Sequence, residues 1–543
     1  MHMVSNLLKA VLLMWAFTAA SWAEVNDTAS FNAALLGKNN SDKTQAIEWL
    51  VGTQSSEQAK TLLSAWLEGD LYYYGDRKSE HYQTFYVVEN PKTDSVALAA
   101  WSDSTLAIDN SRDFKKVRVN NRLRGEIRAE LASIGINSEL QNERYNAVST
   151  LLGTTDDDLL AALSKRLTIE NDSDVTEMIE LALAIDAAKD SALDEPSRIA
   201  AIETVAGYKL PIVAQTLNQV ANDVEENSPV YEAANKGIAT YQQYQSLYTG
   251  IETAFFGLSL GSVLVLAGIG LAITFGVMGV INMAHGELIM IGAYTTYVMQ
   301  LLLPNHVGVA LILSIPMAFI VSGLVGVAIE RSVIRHLYGR PLETLLATFG
   351  ISLILQQAVR SIFSPLNRSV STPEWMSGAL QINPMLSLTY NRLYIVLFCF
   401  LVFVGLLMVL KKTPLGLQVR AVSQNRAMAR AMGIRSERVD AMTFGLGSGV
   451  AGIAGVALSQ LTNVGPNMGQ AYIIDSFMVV VFGGVGNLWG TLVAGLSLGL
   501  FNKVLEPWTG AVLAKILVLV FIILFIQKRP RGLFPQRGRA AEG

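Results

Sequence analysis

The chain has 543 residues, 51% apolar and only 16% charged, with a single cysteine and a net charge of -4. A soluble protein carries ~25% charged residues, so this composition points to a membrane, and the lone Cys399 excludes intrachain disulfides and cysteine-ligated zinc. The small net charge hides two unlike regions: residues 24–250 carry -15, residues 251–543 carry +10, and Lys9 supplies the remaining +1.

The residues at 7–20 form a mostly apolar run followed by Ser21, Trp22 and Ala23, with small residues where a signal cleavage site needs them. At ~1.5 Å per residue the run reaches ~21 Å, short of a ~30 Å hydrocarbon core. We expect a secretory signal cleaved after Ala23, with an uncleaved anchor as the alternative; either way the following residues are exported.

Residues 24–250 are polar and acidic and contain a near-repeat: AIEWLVGT at 46–53, AVSTLLGT at 147–154 and AIETVAG at 201–207. Each copy reads as an amphipathic helix ending in glycine (Gly52, Gly153, Gly207), where a left-handed cap fits. A second apolar-periodic helix follows, such as 159–167. Helix pairs recurring every ~40 to 50 residues predict a HEAT-like α-solenoid. Residues 82–88, 96–101 and 116–119 read as short strands, a small β insertion. A solenoid offers a docking surface, although a passive folded extension satisfies the same pattern. Asp156, Asp157 and Asp158 open a helix, where acids cap and favour the dipole, and the adjacent Glu225 and Glu226 do not face each other, so no catalysis is expected here.

From residue 251 the chain shows nine apolar segments, at about 256–281, 287–303, 309–334, 345–363, 393–410, 441–461, 472–486, 488–505 and 511–527. With the acidic region outside, an odd count leaves the C-terminus in the cytoplasm. The loops then predicted to face inward hold fifteen Lys and Arg, seven of them between Lys411 and Arg438, whereas the outward loops hold only Arg368 and Arg392. That asymmetry satisfies the positive-inside rule. Segments 287–303 and 472–486 are too short to span upright, and each borders a polar or glycine-rich break, at 282–287 and 483–487. Irregular backbone at membrane depth needs protein or a water-filled path to satisfy it, so paired breaks point to a translocation path. The competing reading makes both breaks tight turns at the cytoplasmic interface, with Asn282 and Glu287 as caps. Segments 472–486 and 488–505 are also compatible with one re-entrant hairpin. The glycines at 445–449 and 452–455 read as close helix packing.

Two further classes lack support. The five histidines show no metal spacing, and no GxxxxGK[ST] phosphate loop occurs, so the chain is not itself a P-loop ATPase. Basic residues are not interleaved with aromatics on a soluble face, so nucleic acid is not an expected partner.

The motifs INMAHGE at 281–287, ETLLATFGI at 343–351, TPLG at 413–416 through Arg420 and Ala421, MGI at 432–434, FGGVG at 482–486 and RPRGLF at 529–534 resemble the LivH-type permeases of ABC importers over residues 251–535. Members of that family carry branched-chain amino acids, amides or urea. A signal sequence and an exported domain ahead of the permease resemble its urea-importing branch. The resemblance implies an all-α polytopic permease at 251–535 behind a signal at 1–23 and an exported domain at 24–250, with a cytoplasmic tail at 536–543. It implies no enzyme activity and no cofactor on this chain, ATP being bound by partners. Those partners are a second, LivM-like permease, two cytoplasmic ABC ATPases and a periplasmic substrate-binding protein in the inner membrane of a bacterium. The 411–438 loop would couple to the ATPases through a short helix at 425–432 ended by Gly433, with Arg420, Asn425, Arg426 and Arg430; the competing reading is a basic loop that only retains this side in the cytoplasm. Urea has four NH donors and one carbonyl acceptor, so its path needs acceptors and a few donors. Asn282, His285, Glu287, Thr348 and Asn487 supply them beside the breaks, although His285 alone is more often structural. Other expectations remain: the same importer class acting on branched-chain amino acids or short amides, a membrane-anchored periplasmic sensor, for which nine segments are excessive, and an ATP-independent channel, which needs no coupling helix.

Overall fold

The computed structural model describes residues 25–534 except 38, 93 and 103; the expected signal peptide and C-terminal tail lie outside these residues. The described residues are mostly helical and divide at Gln242 and Gln243 into two compact units.

The first unit opens with α1 (Thr28–Leu36), α2 (Asn40–Thr53) and α3 (Ser56–Glu68), followed by β1 (Leu71–Tyr74), β2 (Phe85–Val87), β3 (Val96–Ala99), β4 (Thr105–Ala107) and β5 (Phe114–Lys116). The strands form an antiparallel sheet in the order β4-β3-β2-β1-β5, with Tyr72 opposite Tyr86 on one side and Lys116 on the other. Alternation decides which side packs: Leu71 and Phe85 join Trp66, Leu50, Leu123 and Ile127 in the helical core, whereas Tyr86, Ala97 and Phe114 form a separate apolar cluster. Two of these strands were not anticipated, and the segment expected at 116–119 is strand only at Lys116, because Asn120 already caps the next helix through Leu123 N.

Helices α4 (Asn121–Gly135), α5 (Gln141–Leu151), α6 (Asp157–Leu167), α7 (Ser173–Lys189), α8 (Glu195–Ala206) and α9 (Pro211–Asn222) follow. Asp156, Asp172 and Asp194 cap α6, α7 and α8 by accepting backbone N–H bonds, which satisfies donors that a helix start leaves free. α7 packs against α5, α6, α8 and α9, and its buried Val175, Ile179 and Ile185 are the centre of this stack. Of the three repeat glycines, only Gly153 adopts a left-handed backbone (φ +83°). Gly52 sits inside α2, and Gly207 keeps a right-handed φ of -70°, which corrects the expectation of a shared glycine cap.

α10 (Pro229–Met278) leads into the second unit, followed by α11 (His285–Leu302), α12 (Val307–Ser332), α13 (Pro341–Phe363), α14 (Tyr390–Lys412), α15 (Pro414–Gln424), α16 (Arg426–Ala431), α17 (Ser436–Ser459), α18 (Met468–Gly483), α19 (Leu488–Thr509) and α20 (Ala511–Lys528). A hairpin of β6 (Ala379–Asn383) and β7 (Leu386–Thr389), absent from the sequence reading, precedes α14. Among the described residues seven helices are long and apolar enough to cross a membrane: α10, α12, α13, α14, α17, α19 and α20. α18, with 16 residues, spans only ~24 Å.

α17 is the centre of this unit, with 83% of its apolar window buried against 17% for α20. Glycine makes that centrality possible. Gly292 of α11 meets Gly452 of α17, Gly286 meets Gly469 of α18, and Gly270 of α10 meets Gly447 of α17. Lipid tails give apolar side chains no reason to hide, so close backbone approach supplies the packing.

Candidate functional site

α10 ends at Met278 and α11 begins at His285, yet residues 279–284 do not simply turn at the end of the bundle. His285 Nε2 lies 2.8 Å from the carbonyl oxygen of Ala267, which stands 11 residues before Met278. At ~1.5 Å per residue Ala267 lies ~16 Å from the end of α10, so the 279–284 segment turns back beside α10 and the His285 side chain reaches inward from it.

Polar groups of Asn282 and of α13 hold this segment and the start of α11. Asn282 Oδ1 accepts from Ala284 N at 3.0 Å, fixing a local turn. Met283 N donates to Thr348 Oγ1 on α13 at 3.1 Å. Farther along α13, Gln356 Nε2 and Ser352 Oγ donate to Glu287 Oε1 at 2.7 and 3.0 Å. Asn282, His285, Glu287 and Thr348 are all at most 1% exposed. Four buried side-chain atoms here find no hydrogen-bond partner among the described residues: Asn282 Nδ2, His285 Nδ1, Glu287 Oε2 and, two turns along α11, Tyr294 Oη. Leaving such atoms unsatisfied costs ~1–3 kcal/mol each, so the segment has unused hydrogen-bonding capacity where irregular backbone passes through the bundle.

Ser352, Gln356 and Tyr294 were not singled out from the sequence. A signal for the first two was present: Thr344, Thr348, Ser352 and Gln356 recur every four residues, all at most 4% exposed. Leu346, Leu353 and Ile354 on the same helix are exposed. A polar row at helical spacing inside an apolar span marks the inward face.

The second break differs. Gly484 and Gly486 take left-handed backbones (φ +102° and +79°), and Asn487 caps α19 by accepting from Gly490 N at 3.2 Å. Its Nδ2 donates to Phe534 O at 3.2 Å, while Leu533 N and Phe534 N bond the carbonyls of Phe482 and Gly483. The structure therefore brings Asn282, His285, Glu287 and Thr348 to the first break and occupies both polar groups of Asn487 in a tight turn closed by residues 529–534.

In the 411–438 loop, Asn425 caps α16 by accepting from Met428 N at 2.9 Å, and Gly433 has φ +87°. Arg420 and Arg430 are exposed, Arg430 bonding Ser436 Oγ at 2.6 Å. Arg426 turns inward to Asp440 and stacks over Tyr338. Burial pushes the Tyr338 hydroxyl up to about 12, so it stays neutral.

A glycine-packed bundle of apolar helices, with short helices beginning at polar breaks, defines a polytopic membrane permease. Residues 253–526 match the model of the branched-chain amino acid transport system / permease component family, and the chain belongs to that family. The high-affinity branched-chain amino acid permease protein BraD of Pseudomonas aeruginosa is 29% identical over 296 residues, 53% of this chain and 96% of BraD. LivH of Escherichia coli K12 is 28% identical, covering 52% and 94%. The ribose import permease protein RbsC of Bacillus subtilis is 34% identical over 110 residues, 19% of this chain and 34% of RbsC. The family match lies wholly within the second unit. No solved structure matches the chain.

Proposed function

We propose that this chain forms half of the translocation pathway of an ABC importer for urea, with the first break as part of the solute path. The observation that carries the reading is the unused, buried hydrogen-bonding capacity of Asn282, His285 and Glu287 at this break. Such a set offers both donor and acceptor positions to a small polar solute. Among the described residues of the second unit no lysine or arginine is buried, so no buried cation stands ready to pair the carboxylate of an amino acid. A neutral diamide needs no such partner. The unit ahead of the permease segment supports the urea branch, since the family match does not extend into it.

In this reading the remaining subunits are a LivM-like second permease, two cytoplasmic ATPases that bind ATP, and a periplasmic binding protein. Residues 24–250 are a periplasmic HEAT-like domain, and the 411–438 loop faces the ATPases. A second reading, import of branched-chain amino acids, is favoured by the similarity to BraD and LivH, which are branched-chain amino acid permeases. Uptake of labelled urea and labelled leucine at micromolar concentration, in a strain lacking this chain and again with it restored, separates the two. Restored leucine uptake without urea uptake would overturn the urea reading.

A further inference from the structure

Arg426, in the 411–438 loop, reaches both the connection ahead of α13 and α17. Its guanidinium carbon lies 3.8 Å from the centroid of the Tyr338 ring, within the range of cation–π stacking. Its Nη2 also donates to Oδ2 of Asp440, in the second turn of α17. The two contacts restrain a planar group in both directions, and the Arg426 side chain is only 25% exposed.

Tyr338 lies three residues before Pro341, where α13 starts. From there α13 runs unbroken to Phe363, and the face it turns inward carries Thr348, Ser352 and Gln356, the residues bonded to Met283 and Glu287. A helix resists axial compression because each turn is hydrogen-bonded to the next. One end of this rod therefore adjoins the Arg426 stack, and its side carries the hydrogen bonds that hold the 279–287 break. Met428 and Met432, on the same loop, are 62% and 78% exposed and leave the loop's outer side open.

We infer that the Arg426–Tyr338 stack is the joint through which movement of the 411–438 loop reaches the 279–287 break, with α13 as the lever. The inference rests on the reading of that loop as the ATPase-facing surface. Arg426 and Tyr338 are positioning residues: neither bonds the residues of the break. A displacement of α16 moves the plane of the stack, α13 tilts with it, and Thr348 and Gln356 carry Met283 and Glu287 along. Packed elements of this kind switch between discrete arrangements rather than deforming continuously.

The test reads the break directly and needs no knowledge of the solute. Met283→Cys is introduced into the full transporter complex, where the native Cys399 is buried and contributes little background, and its labelling by a water-soluble maleimide is timed with and without a non-hydrolysable ATP analogue. The nucleotide should change the labelling rate about fivefold or more. Tyr338→Leu should abolish that change while the ATPases still co-purify, Tyr338→Phe should retain it, and Arg426→Lys, which keeps charge but loses the flat stack, should reduce it. An unchanged rate in the parent complex overturns the inference, as does a full nucleotide response in Tyr338→Leu. If Tyr338→Leu fails to assemble, a full response in Arg426→Lys overturns it instead. Urea uptake is scored separately, so a failed solute assignment leaves the labelling result standing.

Discussion

Gln356 Nε2 on α13 donates a 2.7 Å hydrogen bond to Oε1 of Glu287, in the first turn of α11. Ser352 loads the same oxygen, while Oε2 is left with no partner among the described residues. The carboxylate is thus anchored at one oxygen and available at the other.

This asymmetry predicts different outcomes for the two partners. Glu287→Ala and Asn282→Ala should each lower urea uptake by about tenfold, the scale of one lost hydrogen bond in a buried site, while the ATPases remain bound. Unchanged uptake in both variants would remove these residues from the path. Gln356→Leu should in addition lower stability, costing ~1–3 kcal/mol because it strips a donor from a buried carboxylate; a detergent melting curve reads the difference.

The glycine crossings make a second prediction. A Cβ on Gly452 would stand 2.5 Å from the Ala318 carbonyl oxygen and 2.5 Å from Ser322 Oγ. Gly452→Ala should therefore destabilise the protein by ~1–3 kcal/mol through overpacking. Gly405→Ala on α14, where a Cβ meets nothing within 4 Å, should be neutral or gain ~0.5–1 kcal/mol from reduced backbone entropy loss. Equal melting temperatures for the two variants would contradict this account.

Glu170 makes the first unit acid-sensitive. Burial opposes its ionisation, but hydrogen bonds from Arg144 above all, then from Asp172 N, Arg166 and Asn171 N, outweigh burial and hold the carboxyl down at about 2. Arg144 is bidentate, with both bonds at 2.9 Å. Because the folded value lies below the unfolded 4.5, the stabilisation of ~3 kcal/mol is fully present above pH 4.5 and is lost as pH falls towards 2. Glu170→Gln should flatten that loss. The urea midpoint followed by circular dichroism at pH 5 and pH 2.5 tests it; parallel falls in variant and parent would exclude Glu170 as the source.

Asn487 should separate structure from transport. Asn487→Ala removes the α19 cap and the bond to Phe534, at a cost of ~1 kcal/mol, with uptake per folded molecule preserved. Asn487→Asp, which keeps the accepting oxygen, should recover the cap. A loss of uptake without a loss of stability would return Asn487 to the solute path.

The nine apolar segments were readable because lipid demands long uninterrupted apolar runs, and nine helices among the described residues occupy them. The character of the two breaks was not readable. INMAHGE and FGGVG are each compatible with a tight turn or with a passage through the bundle, and what separates them is tertiary: His285 reaches Ala267, whereas Asn487 reaches Phe534. The row on α13 was legible in principle from its four-residue spacing but lay hidden in an apolar run. In the first unit, β1 reads LYYY and follows a glycine-ended helix directly, so no alternation was long enough to mark it. The position of Gly52 inside α2 shows the same limit: the helix runs one residue past it to Thr53, and the chain turns where Ser55 caps α3 by accepting from Gln58 N.

The contacts of α11 with α17 and α18 at Gly292 and Gly286 are backbone on backbone. Ordinary helix pairs interlock like gear teeth, and displacing one requires lifting side chains out of sockets. At these glycines there is no side chain to lift, and the interlocking of α11 with the bundle falls to Leu288, Ile289, Met290 and Tyr294, all buried in the shared core. The helix that starts at the polar break is therefore seated to within a methyl group, and a side chain added at Gly286 or Gly292 would unseat it.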